Sequence, residues 1–209
     1  MTHAPRLVLA SQSPARLALL RAAAVEPDVV VSGVDEDAIE AELGATDAAT
    51  LVAALARAKC EAVAAQLSGD AVVVGCDSLL ELDGRALGKP RDAVEATVRW
   101  SDMRGRSGVL HTGHHVVRVG ASASATTSAH AVGSTVVHFA DVPDDEIAAY
   151  VATGEPLHVA GAFTIDGRGA AFVERIEGDH GNVVGLSLPL LRTLLGQLGI
   201  RWTDLWTAT

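Results

Sequence analysis

The run Ala71-Val72-Val73-Val74-Gly75-Cys76 constrains this chain more than any other segment. It has the continuous apolar character of a central strand covered on both faces, which requires helices or a second layer above and below it. The run ends on Asp77, so a carboxylate is expected at the carboxyl end of a buried strand. Open α/β sheets place their ligands at such ends.

The segments around it fit a layered fold. Leu7 to Ala10 reads as a second buried strand, followed by a turn at Ser11-Gln12-Ser13-Pro14 into a helix carrying Leu17, Leu20 and Ala24. Ser13 suits the N-cap and Pro14 the first helical position. Val29 to Val31 reads as a further strand, and an alanine-rich helix is expected from Ala48 to Leu67, ended by Gly69. Asp83-Gly84 reads as a hairpin turn, and Asp92 to Met103 as a helix. His114 to Val119 and Ser134 to Phe139 read as paired strands, with the Ala/Ser/Thr-rich stretch Gly120 to Gly133 as a hairpin tip or loop. Pro143 to Gly154 reads as a helix with acids in its first turn, Phe172 to Ile176 as a strand, and Ser187 to Leu198 as a final helix. Strands and helices alternate early and mix later, which predicts an α/β protein with a mixed sheet, forming one domain over residues 1–209.

Composition narrows the partners. A net charge of -10 excludes the grip on polymeric DNA or RNA that Lys and Arg normally provide, but leaves room for a small anion in a local cationic pocket. The short apolar run after Arg6 is too brief for a signal-peptide core or a membrane span, so a soluble, cytoplasmic chain with no membrane partner is expected. Cys60 and Cys76 have no metal-binding spacing and are expected to be reduced, buried thiols.

Several residues could carry chemistry. The turn holding Ser11, Ser13 and Arg16 joins free backbone N–H groups, a helix N-terminus and a guanidinium, a combination suited to anionic oxygen. Lys59 interrupts the apolar stripe Val52, Leu55, Ala62, Val63, where an ammonium either snorkels or finds an anion. Gly88-Lys89-Pro90 permits close backbone approach and puts Lys89 within reach of a phosphate, or forms a simple turn with an exposed lysine. It is not a P-loop, because Asp83 and Pro90 stand where that motif needs glycine and Ser or Thr. Asp35, Glu36 and Asp37 offer hard oxygen ligands for Mg²⁺ or Mn²⁺, while His111, His114 and His115 read as structural.

Taken in order, these segments resemble the Maf family of nucleotide pyrophosphatases. The matching pieces run from Leu9-Ala10-Ser11-Gln12-Ser13-Pro14-Ala15-Arg16 through Val34-Asp35-Glu36, Leu55-Ala56-Arg57-Ala58-Lys59, Gly75-Cys76-Asp77-Ser78 and Leu87-Gly88-Lys89-Pro90. They continue with Gly154-Glu155-Pro156-Leu157, Ala160-Gly161-Ala162-Phe163, Phe172 to Gly178 and Asn182-Val183-Val184-Gly185-Leu186. The resemblance implies an elongated mixed sheet flanked by helices, of the inosine-triphosphatase type, with two lobes around a cleft. It also implies a homodimer and hydrolysis of nucleoside triphosphates to monophosphate and pyrophosphate, as housecleaning of non-standard or modified nucleotides.

By the same resemblance Asp77 is the general base, Lys59 and Lys89 are the phosphate lysines, and Arg16 is the second arginine of a Ser-Pro-Arg-Arg motif. Asp35 is linked to a divalent metal, with Glu36 and Asp77 as further ligands. Arg16, Ser78 and Asp166 occupy specificity positions. Ala15 replaces the first arginine of the pair, and Ser78 and Asp166 stand where the thymidine and uridine branch has Thr and Gln. His158 to Phe163 looks more like the branch acting on 7-methyl-GTP, and Ser187 interrupts the usual Gly-Leu-Pro with an expected local effect. The alternative reading is a nucleotide-binding regulator of cell division with little turnover.

Overall fold

The computed structural model describes residues 5–120 and 127–207. Chain order is β1 (Arg6–Leu9), α1 (Pro14–Ala22), β2 (Asp28–Val29), α2 (Glu36–Leu43), α3 (Ala48–Ala64), β3 (Ala71–Leu82), β4 (Arg85–Leu87) and α4 (Ala93–Met103). It continues with β5 (Ser107–Val119), β6 (Thr127–Phe139), α5 (Asp144–Ala152), β7 (Val173–Glu177), α6 (His180–Val184) and α7 (Leu188–Gln197). Short 3₁₀ turns at Glu155–His158, Ala160–Ala162 and Arg168–Phe172 link α5 to β7. Among the described residues the strands form a seven-stranded mixed sheet in the order β2-β1-β3-β5-β6-β7, with β4 on the edge of β3.

The parallel part is doubly wound. From β1 the chain reaches β2 on one side through α1 and β3 on the other through α3, so the strand order reverses beside β1. Gly75 on β3 and Gly113 on β5 let α3 lie close on the sheet: a Cβ at Gly75 would overlap the Ala56 carbonyl, and one at Gly113 the Val52 carbonyl. The opposite face carries α1, α6 and α7 over a core that includes Leu9, Leu20, Val74, Val116, Leu186, Leu191 and Leu194. A second core gathers at the far end of the sheet, where Trp100 meets Phe139, Tyr150 and Phe172 edge to face at centroid distances of 5.8, 5.5 and 5.6 Å. Edge-to-face contacts of this kind add to what burial alone contributes.

Three expectations change. The strand ending at Cys76 continues to Leu82, so Asp77 lies within β3 and not at its end. The reason is the neighbour on the other side: β5 pairs with β3 without a break from Val119 opposite Ala71 to Val109 opposite Glu81, although β1 ends at Leu9 opposite Val74 and β4 begins at Leu87 opposite Leu80. β5 starts at Ser107, and the stretch Thr127 to Gly133, expected as a loop, is strand. Its small polar residues form a strand because they pair with β5 over a long ladder from Arg118 opposite Thr127 to Ser107 opposite His138, a non-local restraint. The rest of the expected tip, residues 121–126, lies outside the described residues. At Asp83-Gly84 the hairpin turn forms as read, with φ of 53° and 72° at the two central positions.

Candidate active site

Between the last β1 pairing and the first β4 pairing, residues 75–79 of β3 have no strand on that side, while β5 continues along the other. This opening lies at the carboxyl end of β1, at the point where the parallel order reverses. Successive side chains of β3 point to opposite faces, so Asp77 projects toward α3 and Ser78 toward α1 and α6.

On the α3 face, Lys59 Nζ donates to Asp77 Oδ1 at 2.5 Å and pairs with Glu36 Oε1 at 2.9 Å. Lys59 and Asp77 are 9% and 8% exposed, so the ammonium that interrupts an apolar stripe has found its anion instead of snorkelling. Asp77 Oδ2 has no hydrogen-bond partner among the described residues. Glu36 reaches in from the first turn of α2 and remains solvent-exposed.

Of the three residues expected at a metal, Glu36 and Asp77 meet at Lys59, and Asp35 stands at the start of α2. Asp35 Oδ1 accepts from the Ala38 N–H at 3.0 Å as the N-cap of α2. An N-cap aspartate satisfies an otherwise unpaired helix N–H. Among the described residues no group of three or more His, Cys, Asp or Glu converges as a metal cage. Glu36 and Asp77 do converge on the Lys59 ammonium, and their carboxylate oxygens are hard donors of the kind that suit Mg²⁺ or Mn²⁺ completed by ligand oxygens.

The α1 face is built differently. Arg16 is buried, and its Nε donates to Gly185 O at 2.7 Å, Nη1 to Cys76 O at 2.9 Å and to Ser11 Oγ at 3.1 Å, and Nη2 to Ser78 Oγ at 3.0 Å. Four of its five N–H groups therefore serve protein acceptors. The guanidinium thereby ties β3, α1 and the end of α6 together. A buried guanidinium must have its donors paired, and at this opening two carbonyls and two hydroxyls of the protein accept them.

Ser78 extends that network. Thr112 Oγ1 donates to Asn182 O at 2.8 Å, so its single hydrogen is taken and the 3.0 Å contact between Ser78 and Thr112 has Ser78 as donor. The chain of donation runs from Arg16 to Ser78 to Thr112 to Asn182, and the Ser78 hydroxyl hydrogen points into the protein. Ser11 Oγ also accepts from the Ser13 N–H at 3.2 Å, and Ser13 Oγ accepts from the Arg16 N–H at 3.4 Å as the cap of α1. Behind this relay, His114 Nε2 accepts from the Ser187 N–H at 2.8 Å while Nδ1–H donates to Thr112 O at 2.9 Å, which fixes one neutral tautomer. Burial pushes His114 down to about 4. Ser187 Oγ also caps α7, accepting from the Leu190 N–H at 3.2 Å. A cavity of about 360 Å³ bordered by Thr135, Asp179, Asn182 and Ser187 lies on this side of the sheet and does not reach Asp77, Lys59 or Lys89.

Lys89 sits on the rim. Beyond Leu87, which pairs with Leu80, the chain runs back toward the level of Asp77. Lys89 itself is exposed. The preceding carbonyl, Gly88 O, is held by Arg99 Nη1 at 2.5 Å and by the Gly161 N–H at 3.1 Å, and Arg99 is fixed in turn by Glu95 at 2.7 Å. Asp166 is an exposed residue of the bend between Thr164 and Arg168. Cys60 and Cys76 are buried thiols, each pushed up to about 12 by burial, which removes them as nucleophiles.

The structure brings the expected Lys59 and Asp77 together and adds Arg99, Thr112 and Asn182, which sequence reasoning did not single out. Arg99 and Thr112 carried no local signal. Asn182 lay in a matching motif without a role attached.

A doubly wound sheet opened at its switch point, with a buried lysine–carboxylate pair inside and a second lysine on the rim, defines an α/β protein for a phosphate-bearing ligand. A family model described as Maf-like protein matches residues 6–198, and the chain belongs to that family. It is 59% identical to the nucleoside triphosphate pyrophosphatase of Streptomyces avermitilis, covering 99% of this chain and 98% of that one. It is 60% identical to the protein of the same name from Streptomyces coelicolor, with the same coverage, and 58% identical to that from Salinispora tropica, covering 97% of this chain and 88% of the other. Among solved structures, the Staphylococcus aureus Ham1 protein overlaps 65% of this chain and 72% of its own at 18% identity and a TM-score of 0.39. That overlap is too partial to carry an argument, and the fold rests on the sheet itself. Among the described residues no helix is long and apolar enough to cross a membrane.

Proposed function

We propose that this chain hydrolyses nucleoside triphosphates to the monophosphate and pyrophosphate, using Asp77 as base. The observation that carries the reading is the Lys59–Asp77 pair at the sheet opening, supported by relatives above 50% identity that bear the name nucleoside triphosphate pyrophosphatase. Lys59 holds Oδ1 of Asp77 and leaves Oδ2 to orient water toward the α phosphorus and take its proton. Lys89 enters from the rim as the cation that neutralises charge on the phosphate oxygens in the transition state. Arg16 and Ser78 act as positioning residues, holding the β3 backbone in place, and the α1 turn at Ser11 and Ser13 frames the phosphates.

Glu36 and Asp77 would hold a Mg²⁺ or Mn²⁺ ion, which supplies Lewis acidity toward the phosphate oxygens. The acidic net charge of -10 supports a free nucleotide over a nucleic-acid polymer. A homodimer, a cytoplasmic setting and a preference for modified nucleotides carry over from the family resemblance.

The test is a panel of canonical and modified triphosphates with each metal, resolving monophosphate, diphosphate, pyrophosphate and orthophosphate, with Asp77→Asn beside the wild type. Monophosphate and pyrophosphate are expected, with turnover reduced by about 10²–10⁴-fold in the variant. Orthophosphate as the released anion, or an Asp77→Asn protein as fast as wild type, would overturn the reading. Binding without any turnover would instead speak for the regulator.

A further inference from the structure

Residues 88–91, which carry Lys89, belong to no strand or helix, yet α4 fastens them at both ends. At the start, Gly88 O accepts from Arg99 Nη1 at 2.5 Å and from the Gly161 N–H at 3.1 Å. At the end, the Arg91 N–H donates to Glu95 Oε2 at 2.9 Å. Glu95 Oε1 in turn accepts from Arg99 Nη2 at 2.7 Å, so the two fastenings are joined by an i,i+4 pair on adjacent turns of α4. The Arg99 side chain is only 12% exposed, which leaves its guanidinium little room to change partners.

This fastening fixes how Lys89 leaves the chain. Gly88 O belongs to the peptide plane that ends at the Lys89 nitrogen, so two donors arriving from different elements set the direction of that plane. Pro90 is buried and confines the residue before it to extended backbone. With both sides of Lys89 held, its Cα–Cβ bond has one direction, and the exposed side chain keeps freedom only about its own χ angles. The segment also lies on the Asp77 face of the sheet. A Cβ on Gly88 would stand 3.4 Å from Leu79 Cδ2, and Leu79, two residues beyond Asp77 on β3, packs with Leu51 and Leu55 of α3. Hydrogen-bond satisfaction alone does not call for Arg99, because Gly161 already serves the Gly88 carbonyl; the guanidinium adds a second, independent restraint.

We propose that Arg99 is a positioning residue for the reaction: braced by Glu95, it sets the direction from which the Lys89 ammonium reaches the phosphate oxygens, and it acts on turnover only through Lys89. The proposal rests on the pyrophosphatase reading above. In Arg99→Met the Gly88 carbonyl keeps Gly161 and the Glu95 carboxylate keeps Arg91, so neither group is left unpaired and the fold is retained. What is lost is one of two restraints on the peptide before Lys89. A lysine free to point in more directions is less often where charge develops in the transition state.

The experiment is a double-mutant cycle on Arg99→Met and Lys89→Ala, with Arg99→Lys as the conservative variant. It reads kcat, KM and melting temperature with the triphosphate that wild type turns over fastest. Arg99→Met is expected to lower kcat by about tenfold with KM within about threefold of wild type, a smaller loss than that of Lys89→Ala. In the Lys89→Ala background the same change should lower kcat by less than about twofold, because the lysine through which it acts is gone. Arg99→Lys keeps a cationic donor that can serve Gly88 O, and should fall between Arg99→Met and wild type. Glu95→Gln weakens the brace with Arg99 in place; it should repeat the cycle with a smaller loss, and it replaces Arg99→Met if that variant does not fold. Losses that multiply in the double variant overturn the proposal, since Arg99 then acts without Lys89. An Arg99→Met protein with wild-type kcat overturns it as well, and so does an active enzyme indifferent to Lys89→Ala. A wild type that turns over no triphosphate overturns the proposal together with the reading beneath it, a result distinct from an active enzyme whose losses multiply.

Discussion

The two faces of β3 bury polar groups by opposite means, although Asp77 and Ser78 are adjacent in sequence. Toward α3, Asp77 and Lys59 form a charge pair with Glu36 at its mouth, and Asp77 keeps one oxygen without a protein partner among the described residues. Toward α1, Arg16, Ser78, Thr112 and His114 form a relay in which nearly every donor and acceptor is taken by the protein. A charge pair can exchange partners when an anionic ligand and a cation arrive, because the ligand supplies the charges that the pair gives up. A saturated relay has nothing to exchange without leaving a buried group unpaired. The α3 face is therefore suited to chemistry and the α1 face to scaffold.

The largest effect expected from this contrast comes from Lys59→Met. Removing the ammonium leaves a buried carboxylate without its partner, so the variant should lose about 3 to 5 kcal/mol of stability along with turnover, as read by denaturant titration beside the nucleotide assay. A variant as stable as wild type would mean that the pair is not a buried charge pair in solution. On the rim, Lys89→Ala should lose about 2 to 4 kcal/mol of transition-state stabilisation with its melting temperature unchanged, since the side chain is exposed. If it melts lower at constant kcat/KM, Lys89 is a structural residue and the division between rim and interior fails.

The smallest effect belongs to the scaffold face. Unfolded His114 takes up a proton near 6.5, while the folded ring resists until about 4. Its contribution to stability is thus complete above pH 6.5 and is lost as the pH falls toward 4. By pH 5 the loss is about 2 kcal/mol, and a melting series from pH 7 to 4 should show a slope that His114→Gln flattens. An identical slope in the variant would show that the relay does not depend on a neutral His114.

Much of this arrangement was legible in the chain. The apolar run Ala71 to Cys76, the Ser13 cap with Pro14, the Asp83-Gly84 turn and the α3 stripe with Lys59 inside it are local patterns, and local patterns determine local elements. The charge excess and the lysines also limited the ligand to a small anion in a local pocket. Other features were decided by residues far apart in sequence. Thr127 to Gly133 became strand because β5 offered a ladder, Asp77 came to lie inside β3 because the same β5 pairs with β3 from Ala71 to Glu81, and Asp35 took the N-cap of α2. Arg16 makes the point most directly. A guanidinium or a carboxylate can serve a ligand or the protein, and the sequence specifies only its charge. Which acceptors surround Arg16 depends on contacts such as Arg16 to Gly185 that exist only once the sheet and its two layers have come together.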